Sequence, residues 1–162
     1  MDSTAGGSPR RSVAAPGLLL GAGLGGFVDG IVLHQILQWH HLLSDTDASL
    51  TANTLWDGLF HAVTWVFVAI GIFWLWRRAT NATDQAAKRP PTRALIGVLL
   101  AGWGLFNLVE GLIDHHLLGI HHVRGGPDQT AYDLAFLALG AVLLAIGTLM
   151  YRRAGSNRPY AG

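Results

Sequence analysis

GAGLGGFVDGIVLHQILQWHH runs from Gly21 to His41, and GWGLFNLVEGLIDHHLLGIHH runs from Gly102 to His122. Set one above the other at an offset of 81, they match at Gly21/Gly102, Gly23/Gly104, Leu24/Leu105, Val28/Val109, Gly30/Gly111, His34/His115, Leu37/Leu118, His40/His121 and His41/His122. Asp29 meets Glu110. Each copy is a glycine-rich apolar run that ends in histidines, with an acid in its middle at Asp29 or Glu110 and a second acid, Asp114, in the later copy. Such a run is long enough to enter a bilayer, which takes about 20 apolar residues to cross as a helix.

Two further apolar stretches follow the copies, so the chain is expected to span a membrane four times, over about 16–41, 55–76, 94–120 and 131–151. The second and fourth stretches align at an offset of 76, through Asp57/Asp133, Phe60/Phe136 and Gly71/Gly147. The expected fold is all-α: two tandem helical hairpins of the same orientation forming a four-helix bundle, related by a pseudo-twofold axis along the membrane normal. Residues 1–15 read as a disordered cytoplasmic N-terminus, 16–153 as the membrane domain and 154–162 as a cytoplasmic tail.

Composition agrees. Hydrophobic residues make up 51% of the 162 residues and charged residues 13%, about half the roughly 25% of soluble domains. This excludes a soluble globular protein and a disordered chain. Without cysteine there is no disulfide and no thiolate ligand. A net charge of +1 with no basic stripe gives no nucleic-acid partner. Arg10, Arg11, Arg77, Arg78, Lys88, Arg89, Arg93, Arg152, Arg153 and Arg158 all fall on one side of the expected spans, and only Arg124 falls on the other. The positive-inside rule then puts both termini in the cytoplasm of a cell bounded by this membrane.

Ionisable residues inside a span are costly and mark function. Counting about 1.5 Å per residue along continuous helices puts His34, His61 and His115 at one depth on three helices. They form the expected ligand set, with Glu110 or Asp29 near it. His41, His122 and Asp57 form an outer entrance that captures the ion. At α-helical spacing, Asp29 shares a face with His40, and Glu110 with His121 and Asp114. That face is rotated by roughly 100–140° from the one bearing His34 or His115. One face would line a metal site and the other would hold supporting acceptors. Imidazole and carboxylate suit Cu, Zn or Fe, which ligand type does not separate. Haem is a lesser alternative, because His34/His115 or His41/His122 could supply two axial imidazoles. A small proton- or ion-coupled transporter with Asp29 and Glu110 as relay is the main alternative. A purely structural subunit is a third. The glycines of the first and third spans predict close packing of those two helices.

The motifs GFVDGIVLHQILQWHHLLS, DGLFHAVTW, GWGLFNLVEGLIDHHLLGIHHVR and YDLAFLALGA resemble those of a bacterial membrane-protein family, domain of unknown function 2243. The resemblance covers about residues 16–153. It implies a four-helix protein of the bacterial plasma membrane and supplies no activity. It also implies a gene sometimes placed beside genes for copper-dependent oxidase assembly, which leans toward copper. Expected partners are therefore the lipid bilayer, respiratory-chain or metal-handling membrane proteins, and a second copy of the chain.

Overall fold

The computed structural model describes residues 13–82 and 91–154. Expectations for residues 1–12, for the basic loop at 83–90 and for the tail at 155–162 lie outside it. Four helical rods make up the described chain. The first is α1 (Ala14–Val28), which continues without a break as the π-helix π1 (Asp29–Ile36). Next comes α2 (Leu50–Asn81). The third is α3 (Thr92–Glu110), continuing as π2 (Gly111–Leu117), and the last is α4 (Gln129–Arg153). Each rod is long and apolar enough to cross a membrane. No strand occurs among the described residues.

Local chemistry sets the ends. The Ser49 hydroxyl accepts the Ala52 N–H at 3.2 Å and caps α2. Pro91 cannot extend a helix backwards, and its carbonyl accepts the first amides of α3, from Ala94 and Leu95. α1 begins at Ala14 with Val13 fully buried before it, slightly earlier than the expected start at 16.

Packing follows the glycines. α1 and α3 form the central pair. A Cβ built on Gly21 would fall on the Leu99 carbonyl, and one on Gly102 would fall on the Leu18 carbonyl. These two contacts are reciprocal at the same offset of 81. In lipid there is little hydrophobic drive between helices, so association depends on close backbone approach, which a side chain here would prevent. α2 lies against α1, where a Cβ on Gly23 would come within 2.8 Å of the Thr64 carbonyl. α4 lies against α3, where Gly97 and Gly147 face each other. The outer faces of α2 and α4 carry exposed large apolar side chains, Trp65, Phe73, Leu139 and Ile146 among them. A bilayer is the solvent that suits them.

The ends of the first and third rods differ from expectation. The first was expected to run as an α-helix to His41. It instead widens into π1 at Asp29 and stops at Ile36. The amide of Leu37 bonds the Val32 carbonyl at 2.8 Å and that of Leu118 bonds the Ile113 carbonyl at 2.8 Å, both reaching back five residues. The next residue in each copy turns left-handed, Gln38 at φ 51° and Gly119 at φ 58°. The chain then folds back over the rod it has just left. Distances counted along a straight helix to His41 and His122 therefore do not apply.

Candidate metal centre

The π-turns bring Asp29 to His34 and Glu110 to His115. In an α-helix five residues subtend about 140°, which would point these side chains apart. The five-residue register of a π-helix stacks them instead. Asp29 Oδ2 lies 3.2 Å from His34 Nε2, and Glu110 Oε1 lies 3.1 Å from His115 Nε2. The expected separation of acids and histidines onto two faces is thus corrected: they share one.

The left-handed turns add a third side chain to each set. His40 returns over π1 and its ring meets that of His34, with centroids 4.4 Å apart. His121 returns over π2 and meets His115 at 4.8 Å. Two triads result, Asp29–His34–His40 and Glu110–His115–His121, all six residues buried. In each triad one ligand atom per residue can be chosen so that all lie within 4.8 Å of one another. The triads adjoin, because the rings of His40 and His121 stack at 4.7 Å with 13° between planes.

The outer nitrogens are anchored. His40 Nδ1–H donates to the Val123 carbonyl at 2.8 Å, and His121 Nδ1–H donates to the Leu42 carbonyl at 3.1 Å. Each half thereby holds the other's returning loop. His34 Nδ1–H donates to Asp57 at 3.0 Å and His41 Nδ1–H to its other oxygen at 2.6 Å, while Asp57 also accepts the Leu42 amide at 2.8 Å. Asp133 repeats the pattern. It accepts from His122 at 2.6 Å and from the Val123 amide at 2.9 Å, and lies 3.4 Å from His115 Nδ1.

A carbonyl can only accept, so Nδ1 of His40 carries the proton, and Nε2 of the neutral ring carries a lone pair. Burial holds His40 down to about 3, helped by neighbouring His121 and His34. It is therefore neutral at ordinary pH. Buried polar atoms are normally hydrogen-bonded. Here Asp29 Oδ2, His34 Nε2 and His40 Nε2 are buried without a hydrogen bond. In the second triad Glu110 Oε2 and His115 Nε2 are likewise bare, while His121 Nε2 lies 2.9 Å from Glu110 Oε1. Convergent lone-pair atoms, with the rings of His34, His40 and His121 pinned through Nδ1 and His115 Nδ1 left without a hydrogen bond 3.4 Å from Asp133, have the form of a metal site with its supporting hydrogen bonds.

The structure brings together His34, His115, Asp29 and Glu110 from the expected set. It places Asp57 one step behind, against His34 and His41. His41 and His122 are half-buried and bonded to Asp57 and Asp133, away from the triad atoms. His61 does not join. Its Nδ1–H donates to the Asp57 backbone carbonyl at 2.6 Å, and its Nε2 faces Gly30. His116 is exposed. His40 and His121 were without an expected role, yet each completes a triad. The rings of His40 and His121 lie within 6.4 Å of both His34 and His115. That leaves no slot for a porphyrin between His34 and His115.

Four apolar helices enclosing two buried histidine–carboxylate triads define a small polytopic membrane protein with residues that could hold metal. The chain belongs to the family described as "Predicted membrane protein (DUF2243)", whose model matches residues 16–154. No curated protein and no solved structure matches it.

Proposed function

We propose that the protein binds two transition-metal ions inside the membrane, one in each triad. Asp29, His34 and His40 hold the first, and Glu110, His115 and His121 the second. The observation that carries this is the convergence of Asp29 Oδ2, His34 Nε2 and His40 Nε2, buried and without hydrogen bonds. Leaving a buried polar atom unpaired costs about 1–3 kcal/mol. A cation would satisfy His40 Nε2 together with Asp29 Oδ2 and His34 Nε2, which otherwise have only each other at 3.2 Å. Two imidazoles and one carboxylate with open positions suit iron(II) and zinc, and copper(II) on ligand type.

The matching contacts of the halves support a tandem duplication. The ligands sit at the ends of the first and third rods opposite Arg77, Arg78, Arg152 and Arg153. With the basic side inward, the centre lies in the outer half of a plasma membrane and both termini are cytoplasmic. Toward the basic side, α1 from Ala14 to Val28 carries no ionisable residue, and α3 carries none between Arg93 and Glu110. This favours a site reached from outside over a relay through the membrane.

The test is metal content of protein purified after growth with iron, zinc and copper. The expected result is about two ions per chain in the wild type, one each in His40→Ala and His121→Ala, and none in the double variant. No ion in any preparation refutes the reading.

A further inference from the structure

Beside the triads, α1 and α4 flank α3 without packing on each other, and the gap is a cleft of about 290 Å³. Trp103 and Asn107 of α3 form its floor, Phe136 lines α4, and Trp39 and Tyr132 line the outer end. Arg124 closes that end. It donates to the Tyr132 hydroxyl at 2.7 Å and lies 5.3 Å from the Trp39 ring centroid. Two polar groups break the apolar wall. Asp29 lines the cleft from the first triad, and Asn107, only 2% exposed, leaves Oδ1 without a hydrogen-bond partner.

The pseudo-equivalent position on the other half is closed. Where the cleft has Gly25, the second copy has Phe106, whose ring packs on Phe60 at 6.1 Å. Where the floor has Asn107, the first copy has Gly26, whose face is taken by Thr64 and Phe106. Packing alone would have been served by filling both sides. One side is filled and the other is open, aromatic and provided with bare acceptors.

We propose that this cleft binds a small hydroxylated aromatic molecule of the phenol or hydroquinone class, taken from the lipid. Four aromatic side chains suit a flat ring. An apolar cavity near 150 Å³ already holds benzene, so this volume takes a substituted ring. A ring hydroxyl donates to the bare Asn107 Oδ1, which an acyl chain cannot satisfy. The ring would then lie beside Asp29 of the first triad. Its polar anchor is Asn107, which belongs to neither triad, so binding can be measured separately from metal content.

Trimethylhydroquinone is titrated anaerobically into the full-length protein in lipid nanodiscs by calorimetry, with empty nanodiscs subtracted. Its dimethyl ether is the control. Saturable binding near one per chain is expected, weakened at least about tenfold in Asn107→Leu, in the exposed-site variant Ala135→Trp and for the ether. Equal affinity for the ether makes the cleft a lipid-chain groove and overturns the proposal. So does binding that neither variant changes, or none above empty nanodiscs.

Discussion

Asp57 is the place to test whether anchoring sets metal affinity. Its two oxygens accept three hydrogen bonds: from Leu42 N–H, His34 Nδ1–H and His41 Nδ1–H. Asp57→Asn keeps the shape but turns one acceptor into a donor. That donor then faces either the His41 proton or the pair from Leu42 and His34. With the amide nitrogen toward Leu42 and His34 a buried donor is left unpaired, at about 1–3 kcal/mol; with it toward His41 that half-buried ring must carry its proton on Nε2, and either way the His34 ring loses the charge that holds its tautomer. Supporting hydrogen bonds of this kind are worth roughly 10–100-fold in metal affinity, which matches that energy at about 1.4 kcal/mol per decade. Asp57 bonds a triad ring directly only in the first triad and reaches the second only through the Leu42 loop, so the larger loss should fall on one of two binding steps. Asp133→Asn should weaken the other. Chelator-competition titrations of the purified variants read the two steps separately, with circular dichroism to show that the helices persist. An equal loss at both steps in either variant, or no loss at all, would refute the assignment of each acid to its own triad.

Four further outcomes follow from the backbone and from the place of His61. Gln38→Gly should raise stability by about 1 kcal/mol, because Gln38 holds φ 51° where its counterpart is Gly119; thermal unfolding in detergent measures it, and a lower midpoint contradicts it. Gly21→Ala should destabilise by about 1–3 kcal/mol through the Leu99 carbonyl. Gly58→Ala, with open space around it, should gain up to about 1 kcal/mol in the same assay. His61→Ala should leave metal stoichiometry unchanged, since its ring faces Gly30 rather than a triad; loss of an ion on elemental analysis would return His61 to the ligand set.

The four spans were legible because they rest on length and apolarity, which need no knowledge of geometry. The close approach of α1 and α3 was legible because only glycine permits it. The two triads were half legible. His34, His115, Asp29 and Glu110 stood out as intramembrane ionisable groups, but their grouping assumed 100° per residue to the end of each rod. The π-turns at Asp29 and Gly111 break that assumption, and no propensity rule foretells them. Depth counting failed for the same reason, and so His61 was preferred to His40. The alignment itself held a better guide. His34, His40, His115 and His121 are paired between copies, while His61 and His116 are matched by Leu137 and Gln35. The unpaired histidines are the ones left outside the triads. Pairing alone does not suffice, since His41 and His122 are also paired and bond the anchoring acids instead.

The two triads are not equivalent, and one difference is a methylene. Asp29 reaches only His34, at 3.2 Å. Glu110 is longer, and its Oε1 sits between His115 Nε2 at 3.1 Å and His121 Nε2 at 2.9 Å. The second triad is therefore partly self-satisfied, and on the proposed function an ion would have to displace the Glu110–His121 hydrogen bond in order to bind. Hydrogen bonds to charged groups contribute roughly 1.5–3 kcal/mol, so the Asp29 triad should load first by about one to two decades of affinity. His121→Ala, which leaves the Asp29 triad intact, should bind its single ion more tightly than His40→Ala does. Asp29→Glu should narrow the gap between the two wild-type steps, because the longer side chain can reach His40 as Glu110 reaches His121. The reverse order of affinities in the single-triad variants would mean that the contact at Glu110 positions the carboxylate for the metal instead of competing with it.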